Sequence, residues 1–493
     1  MIINIFLIER KIKEVLVVIS KEAAFNDILK NLREKNLAIF AGAGMSVDCG
    51  YVNWADLLRP IAQELELDID KEHDLVALAQ YHYNEYLSRD KINQVLVDEF
   101  SRDAVTSENH RILARLPIET YWTTNYDKLI EKSLEEAGKI PDVKYTIEQL
   151  AITRPKRDAI VYKMHGDVDH SEKAILTKDD YELYPKTMQP FLTALAGDLI
   201  SKTFLFIGFS FTDPNLDYIL SRVRIAYNNN QRRHYCFIRK VKRNETENSV
   251  DFEYRERKQN YFIQDLKRYN ILTILIDEYE EITDFLRKLE RFYKRDYIFI
   301  SGAAYEYGKW GKEKSEQFIH KLSKSLIHNG FKIVSGFGLG IGSAVISGAL
   351  EEIYNDLKTH SKDELILRPF PQKVNGQLNK TKVWHNYRQD MISYAGIAIF
   401  VFGNKLVDGK LIESDGMRDE FEIAIEKGLL LLPIGATGYI SKKFHEEIMS
   451  DFNKFYPNVG KHIKDKFIEL NDDNKSPEEI IDTVIDFLKG ILV

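Results

Sequence analysis

Short apolar runs, each closing on glycine or polar residues, alternate with amphipathic stretches through most of the chain. Residues 37–40, 120–124, 159–164, 203–207, 234–238 and 272–276 read as strands, being short, apolar and bounded by turn-forming residues. Between them, residues 128–137 and 215–226 carry helical periodicity. Strands alternating with helices predict a parallel sheet covered on both faces, the doubly wound α/β class. Residues 54–116 are helix-rich and interrupt the alternation. They are expected to form a helical insertion beside the crevice of the sheet.

A charged helix ends around Glu290-Arg291-Phe292-Tyr293-Lys294-Arg295-Asp296, and the same pattern then restarts. Residues 297–302, 331–336, 365–370, 397–402 and 429–433 predict a second parallel sheet. The expected organisation is an N-terminal extension at 1–24, a first domain at 25–291 and a second at 292–493. Both domains are Rossmann-like. Residues 241–248 are charged and read as an exposed loop.

Composition narrows the class. At 493 residues the chain is too long for one ordinary core. Its 44% hydrophobic and 29% charged content are those of a soluble globular protein. A net charge of −7 gives no global reason to expect nucleic acid. The only two cysteines, Cys49 and Cys236, exclude a four-cysteine zinc site and a disulfide framework, so no metal is expected. They suit a reducing cytoplasm. The apolar start Met1–Ile8 meets Glu9, Arg10 and Lys11 too soon for a membrane span. It also has no basic lead-in for a signal peptide, and the expected location is cytoplasmic, away from membranes.

The candidate chemistry sits at strand ends. Residues 37–40 run into Gly42-Ala43-Gly44-Met45-Ser46, where glycines let the backbone turn sharply and approach a pyrophosphate. Thr123-Thr124-Asn125-Tyr126-Asp127 and Lys163-Met164-His165-Gly166-Asp167 close two later strands, and Gly208-Phe209-Ser210-Phe211-Thr212-Asp213 a fourth. In an open α/β sheet such ends converge on one crevice. Singly, each has a bland alternative: a glycine turn, an asparagine cap, a satisfied loop histidine, or an Asp or Ser that stabilises a turn.

Together these motifs resemble the sirtuin-like family over roughly residues 25–290. The resemblance implies NAD+ as substrate, held across the strand ends by Gly42, Ala43, Gly44, Met45, Ser46, Thr124, Asp127, Gly208, Ser210 and Asp213. His165 is then the proton acceptor, and Asn125 the group that holds a water or the ribose in line. Protein-deacylating sirtuins carry a paired-cysteine zinc module that two distant cysteines cannot supply. Where they continue with Pro-Asp-Phe-Arg, this chain reads Gly50-Tyr51-Val52-Asn53. Water becomes the expected acceptor, giving ADP-ribose and nicotinamide. The alternatives are a protein deacylase or ADP-ribosyltransferase, and a non-enzymatic nucleotide-binding scaffold.

The second half carries Ser301-Gly302-Ala303 and Ser335-Gly336-Phe337-Gly338-Leu339-Gly340-Ile341-Gly342, again glycine turns at strand ends. Such density requires close backbone approach, to a phosphate or to a neighbouring element. Arg388 and Lys405 offer fixed positive charge, and Glu420, after Gly416, an acceptor. Pairing of Arg388 with a nearby acid is the plainer alternative. This half resembles the SLOG family of nucleotide-ligand domains. The Pro-Gly-Gly-x-Gly-Thr of the related phosphoribohydrolases is replaced by Glu413-Ser414-Asp415-Gly416-Met417-Arg418, so binding without turnover is expected.

The two domains in this order resemble the effectors of the Thoeris anti-phage defence system. That resemblance implies an NAD+ hydrolase activated by a cyclic ADP-ribose isomer made by a TIR-domain partner. Ser301, Gly302, Gly336, Gly338, Gly340, Arg388, Lys405, Gly416 and Glu420 are the expected contacts for the activator. It also implies a homotetramer, with a filament as a further assembly.

Overall fold

A computed structural model describes residues 19–227, 230–244, 246–369, 380–457 and 459–492. The chain divides into two compact units, Met1–Glu290 and Arg291–Val493. Of the expected extension 1–24, residues 1–18 lie outside the described residues. The helix Lys21–Arg33 begins before the expected domain start, because Ser20 caps it and Ala24 and Phe25 are already buried.

In the first unit seven strands, β1 Leu37–Ala41, β2 Thr120–Thr123, β3 Pro141–Lys144, β4 Ala159–Lys163, β5 Thr203–Ile207, β6 His234–Arg239 and β7 Ile271–Ile276, form one sheet. The order is β3-β4-β2-β1-β5-β6-β7 and every pairing is parallel. Central strands such as β1 and β5 are buried at every position, which is why they read as unbroken apolar runs. The chain leaves β1 towards β2 on one side and returns to β5 on the other. That reversal opens a crevice at the carboxyl ends of β1, β2 and β5.

One strand, β3, escaped the sequence reading. Pro141-Asp142-Val143-Lys144 has no apolar alternation because Asp142 and Lys144 share a face and pair at 2.7 Å, with Arg157 closing on the same carboxylate at 2.9 Å. An edge position tolerates both the proline and the charge.

Residues 54–116 form four α-helices, Trp54–Glu64, Leu75–Tyr86, Asp90–Phe100 and Glu108–Arg115. Leu57, Leu58, Ile61, Leu78, Ile92 and Leu96 give this segment its own buried cluster, shared with Tyr126 from the β2 loop. Arg89 clamps it to the rest of the unit: one nitrogen donates to both Asp180 oxygens at 2.8 Å, another to the Ala174 carbonyl at 2.7 Å.

The second unit repeats the principle with β8 Tyr297–Ala303, β9 Lys332–Ser335, β10 Leu365–Leu367, β11 Ile397–Phe402 and β14 Leu430–Pro433, in the order β10-β9-β8-β11-β14. The predicted strand at 365–370 ends earlier, and residue 370 lies outside the described residues. Its crevice opens between β8 and β11. A hairpin of β12 Asn404–Val407 and β13 Lys410–Glu413 follows β11, turning on Asp408 and Gly409, both at positive φ. Asp-Gly between short strands is the turn that matches strand twist. No helix among the described residues is long and apolar enough to cross a membrane.

Candidate active site

Gly42, Gly44 and Gly208 are small for a reason internal to the protein. A Cβ at Gly42 would stand 2.4 Å from the Gly208 carbonyl, and one at Gly208 would stand 2.3 Å from the Met45 nitrogen. Gly208 also sits at φ +65°. The β1 and β5 loops pack backbone to backbone, and Gly44 N donates to Gly208 O at 2.9 Å. The glycines permit this contact, and the turn it creates forms the floor of a cavity of about 980 Å³.

That cavity is lined by Ala43, Gly44, Met45, Ser46, Thr124, Asn125, Asp127, His165, Gly208, Ser210 and Asp213. Of the residues expected to hold or cleave the substrate in this unit, Gly42 alone is not in the lining. Its carbonyl instead accepts the Asn125 Nδ2 amide at 3.1 Å. Trp54, Leu57, Phe100 and Asn109 of the helical segment supply another wall. Residues 241, 242 and 244, expected in an open loop, line the far end.

A directional hydrogen-bond chain fixes Asn125. The Ser46 hydroxyl donates to Asp127 Oδ2 at 2.8 Å, so its oxygen receives the Asn125 Nδ2 amide at 3.0 Å. With Gly42 O as second acceptor, both amide hydrogens are committed and the carbonyl Oδ1 is the group left for a ligand. Asp127 uses its other oxygen to cap Leu129 N at 3.0 Å. Its role is to hold Ser46 and start the helix Leu129–Glu136, more than to face solvent.

His165 is buried, with Nε2 3.0 Å from Asp213 Oδ2, off the axis of a straight hydrogen bond. Burial works to raise the Asp213 carboxyl, but the imidazole and the Leu216 and Asn215 amides outweigh it and hold it below the usual range. A carboxylate beside Nε2 favours the tautomer protonated there, leaving Nδ1 as the proton acceptor. Tyr181 packs edge-on to the ring at 5.4 Å, and its hydroxyl lies 3.4 Å from the same Asp213 oxygen. Burial, and then that carboxylate, push the Tyr181 phenol well above its ordinary value.

Lys163 lies under both loops, completely buried. Its ammonium donates to Tyr126 O at 3.1 Å and to Asp127 O and Asp167 Oδ2, each at 2.5 Å, with Glu131 at 3.1 Å. Burial disfavours the charge, yet Glu131, Asp167 and Asp127 overcome that and hold its pKa above the ordinary value. One side chain thus fastens the Asn125 loop to the His165 loop. Sequence reading assigned it nothing, since a lysine ending an apolar run gives no sign of facing inwards.

In the second unit Ser301 Oγ donates to Glu420 Oε2 at 2.6 Å. Arg388 reaches Asp419 at 3.0 Å and Glu420 at 3.5 Å, and Lys405 pairs with Asp415. Burial raises the Glu420 carboxyl, while Ser301 and Arg388 pull against it. Gly416 leaves room for the guanidinium: a Cβ there would stand 2.6 Å from Arg388 Nη2. The glycine loop is again explained from within, since a Cβ at Gly338 would stand 2.0 Å from Gly302 O and one at Gly340 2.0 Å from Ala304 O. Gly302 would meet Ile341 and Val401. A Cβ at Gly336 would stand 2.9 Å from Met391 Sδ.

Three phenylalanines stand at positive φ beside these strand ends, Phe211 at +59°, Phe337 at +59° and Phe402 at +57°. For a bulky residue that conformation costs of order 1 kcal/mol.

Comparison with known proteins adds names to this arrangement. Residues 119–266 match the SIR2-like domain, and residues 281–491 match the Sir2- and TIR-associating SLOG family. A protein of Bacillus cereus (strain MSX-D12) named NAD(+) hydrolase ThsA is 55% identical over 95% of this chain and 98% of its own length. One of the same name from Acinetobacter baumannii (strain 532279) is 49% identical over 94% of this chain and 98% of its own. Defense-associated sirtuin 2 of Bacillus subtilis is 29% identical over 43% of this chain and 22% of its own length.

Proposed function

Since the chain belongs to the family of the NAD(+) hydrolase ThsA proteins, we propose that its first crevice breaks the nicotinamide–ribose bond of NAD+ with water as acceptor. The observation that carries this reading is one cavity holding two prepared groups, the Asn125 carbonyl fixed by Ser46 and Gly42 and the His165 ring beside Asp213. As the bond breaks, its electron pair leaves with nicotinamide and positive charge builds on the ribose. The Asn125 oxygen, a partial negative charge with its hydrogens held elsewhere, favours that charge or holds the attacking water. His165 accepts the water's proton, and Asp213 steadies the imidazolium. The products are ADP-ribose, nicotinamide and a proton.

The second crevice, in this reading, binds a cyclic ADP-ribose isomer, made by a TIR-domain partner, and binding switches the enzyme on. Arg388 and Lys405 are its anion contacts, with Ser301, Gly416 and Glu420 beside them. Each cation is already paired, so the ligand's phosphates compete with Asp419, Glu420 and Asp415. Binding raises activity only as far as the ligand prefers the active arrangement. Depletion of NAD+ on this signal serves anti-phage defence, by a homotetramer in the cytoplasm.

The test is nicotinamide release from NAD+ by the full chain, with and without the cyclic nucleotide. Release is expected to rise sharply with the nucleotide. It is expected to fall by about 10²–10⁴-fold in His165→Ala and Asn125→Ala variants that keep the wild-type circular dichroism. Undiminished release in both variants overturns the assignment.

A further inference from the structure

The cavity is chemically lopsided. Its carboxylates, Asp48, Asp127 and Asp213, belong to the loops after β1, β2 and β5. Its far end, after β6, is lined by Arg239, Lys240, Lys242 and Arg255, with Tyr279 from the β7 side. Lys240 pairs with Asp277 at 2.9 Å, Lys242 with Glu278, and Arg255 with Glu247 at 2.6 Å. None of these three acids lines the cavity. All four cationic residues line the cavity, and three of them pair with acids outside its lining. Arg239 lies over the Tyr279 ring, 4.6 Å from its centroid, and forms no ion pair among the described residues.

Strand order fixes which part of a dinucleotide meets this end. Asn125 follows β2 and His165 follows β4, on one side of β1, whereas β5 and β6 lie on the other. From β2 to β6 is three strand spacings, about 14 Å. With the scissile bond at His165 and the pyrophosphate over Ser46 and Gly208, the adenosine half points towards Arg239. In dinucleotide sites generally an acidic residue accepts the ribose hydroxyls of NAD+, whereas an arginine accommodates a 2′-phosphate. Here the end of β6 reads Arg239-Lys240-Val241-Lys242. A guanidinium with lysines beside it in sequence matches a phosphate dianion.

We propose, resting on the NAD+ hydrolase reading of this crevice, that Arg239 with Lys240 and Lys242 receives a 2′-phosphate, and that NADP+ is a substrate alongside NAD+. The reaction is NADP+ plus water to nicotinamide, 2′-phospho-ADP-ribose and a proton. The C1′–N bond breaks with its electron pair going to nicotinamide, and the water oxygen bonds to C1′.

The experiment follows nicotinamide release from NAD+ and NADP+ by the activated full chain. In parallel, calorimetry measures binding of ADP-ribose and of its 2′-phosphate to the same preparation. The expected result is kcat/KM for NADP+ within tenfold of that for NAD+, and binding of the 2′-phosphate at least as tight as that of ADP-ribose. Arg239→Ala is expected to lower the NADP+ to NAD+ ratio at least tenfold, chiefly through KM, and Arg239→Lys to restore most of it. Cleavage of NAD+ with NADP+ at least a hundredfold poorer overturns the proposal and leaves the NAD+ hydrolase reading standing. Cleavage of neither, with neither ligand bound, overturns both. A ratio that Arg239→Ala and the combined loss of Arg239, Lys240 and Lys242 leave unchanged overturns the assignment of these residues.

Discussion

The two crevices share one construction and differ in what their strand ends carry. Each lies where the strand order of a parallel sheet reverses, and each is floored by glycines that let two backbone turns touch. In the first, the polar groups form a directed chain, Asn125 to Ser46 to Asp127, beside a His165–Asp213 couple, with a cavity over them. In the second, Arg388 and Lys405 stand paired with Asp419, Glu420 and Asp415, and no histidine joins the group. A fold fixes where a ligand can lie, and the side chains at the strand ends decide whether it is cleaved or held. The first set suits bond breaking. The second suits an anion that must win its place from resident carboxylates.

Removing Lys163 breaks the first half of this contrast most severely. Lys163→Met leaves Glu131 and Asp167 buried without their cation and unfastens the Asn125 and His165 loops. A loss of about 3–5 kcal/mol is expected by denaturant unfolding. Among its described residues the second unit has no fully buried lysine, and Lys405→Met, at a partly exposed pair, is expected to cost no more than about 1 kcal/mol. Equal losses in the two variants contradict the contrast.

Glycine replacement tests what the crevices have in common. Gly208→Ala combines a left-handed backbone with a Cβ 2.3 Å from Met45 N, and about 3 kcal/mol of destabilisation is expected. Gly338→Ala meets Gly302 O at 2.0 Å without left-handed strain, and about 2 kcal/mol is expected. Unfolding curves that shift in neither variant mean that the loops do not pack as described.

Acid separates the units by a smaller effect. Burial drives His110 down to about 4 and His234 down to about 3, both in the first unit. Burial also lowers His445 in the second. Below pH about 6.5 the unfolded chain takes up protons that these folded histidines refuse, so stability falls with pH, by up to about 1.4 kcal/mol per pH unit for each. The loss continues until pH reaches the folded values, near 4 for His110 and near 3 for His234. One buried glutamate per unit, Glu131 and Glu420, is shifted upwards by burial and acts in the opposite sense, leaving the difference with the histidines. Between pH 6.5 and 5 the first unit is expected to lose urea resistance about twice as steeply, read by limited proteolysis with fragments assigned by mass.

Legibility in the sequence followed burial and locality. β1, β5 and β11 were plain because strands covered on both faces are apolar throughout. β3 was hidden because its inward face is a charged pair. The hairpin after β11 was legible from Asp408-Gly409 and went unread. Asn125 and His165 stood out through motifs that are local in sequence. The partnerships that orient them were not legible: Asp213 is far along the chain from His165, and Lys163 gives its charge to the Asn125 loop and the helix after it as well as to Asp167 in its own loop. The glycines were legible as close-approach residues but ambiguous in what approaches, and the answer is the neighbouring loop.

The division of labour is tested most directly by titrating the cyclic nucleotide while following nicotinamide release from NAD+ in wild type, His165→Ala and Arg388→Ala. His165→Ala is expected to stay at least about a hundredfold slower at every nucleotide concentration. Arg388→Ala is expected to regain release at nucleotide concentrations about tenfold or more above those that activate wild type. Rescue of His165→Ala by added nucleotide, or an Arg388→Ala titration that overlays the wild type, contradicts the account.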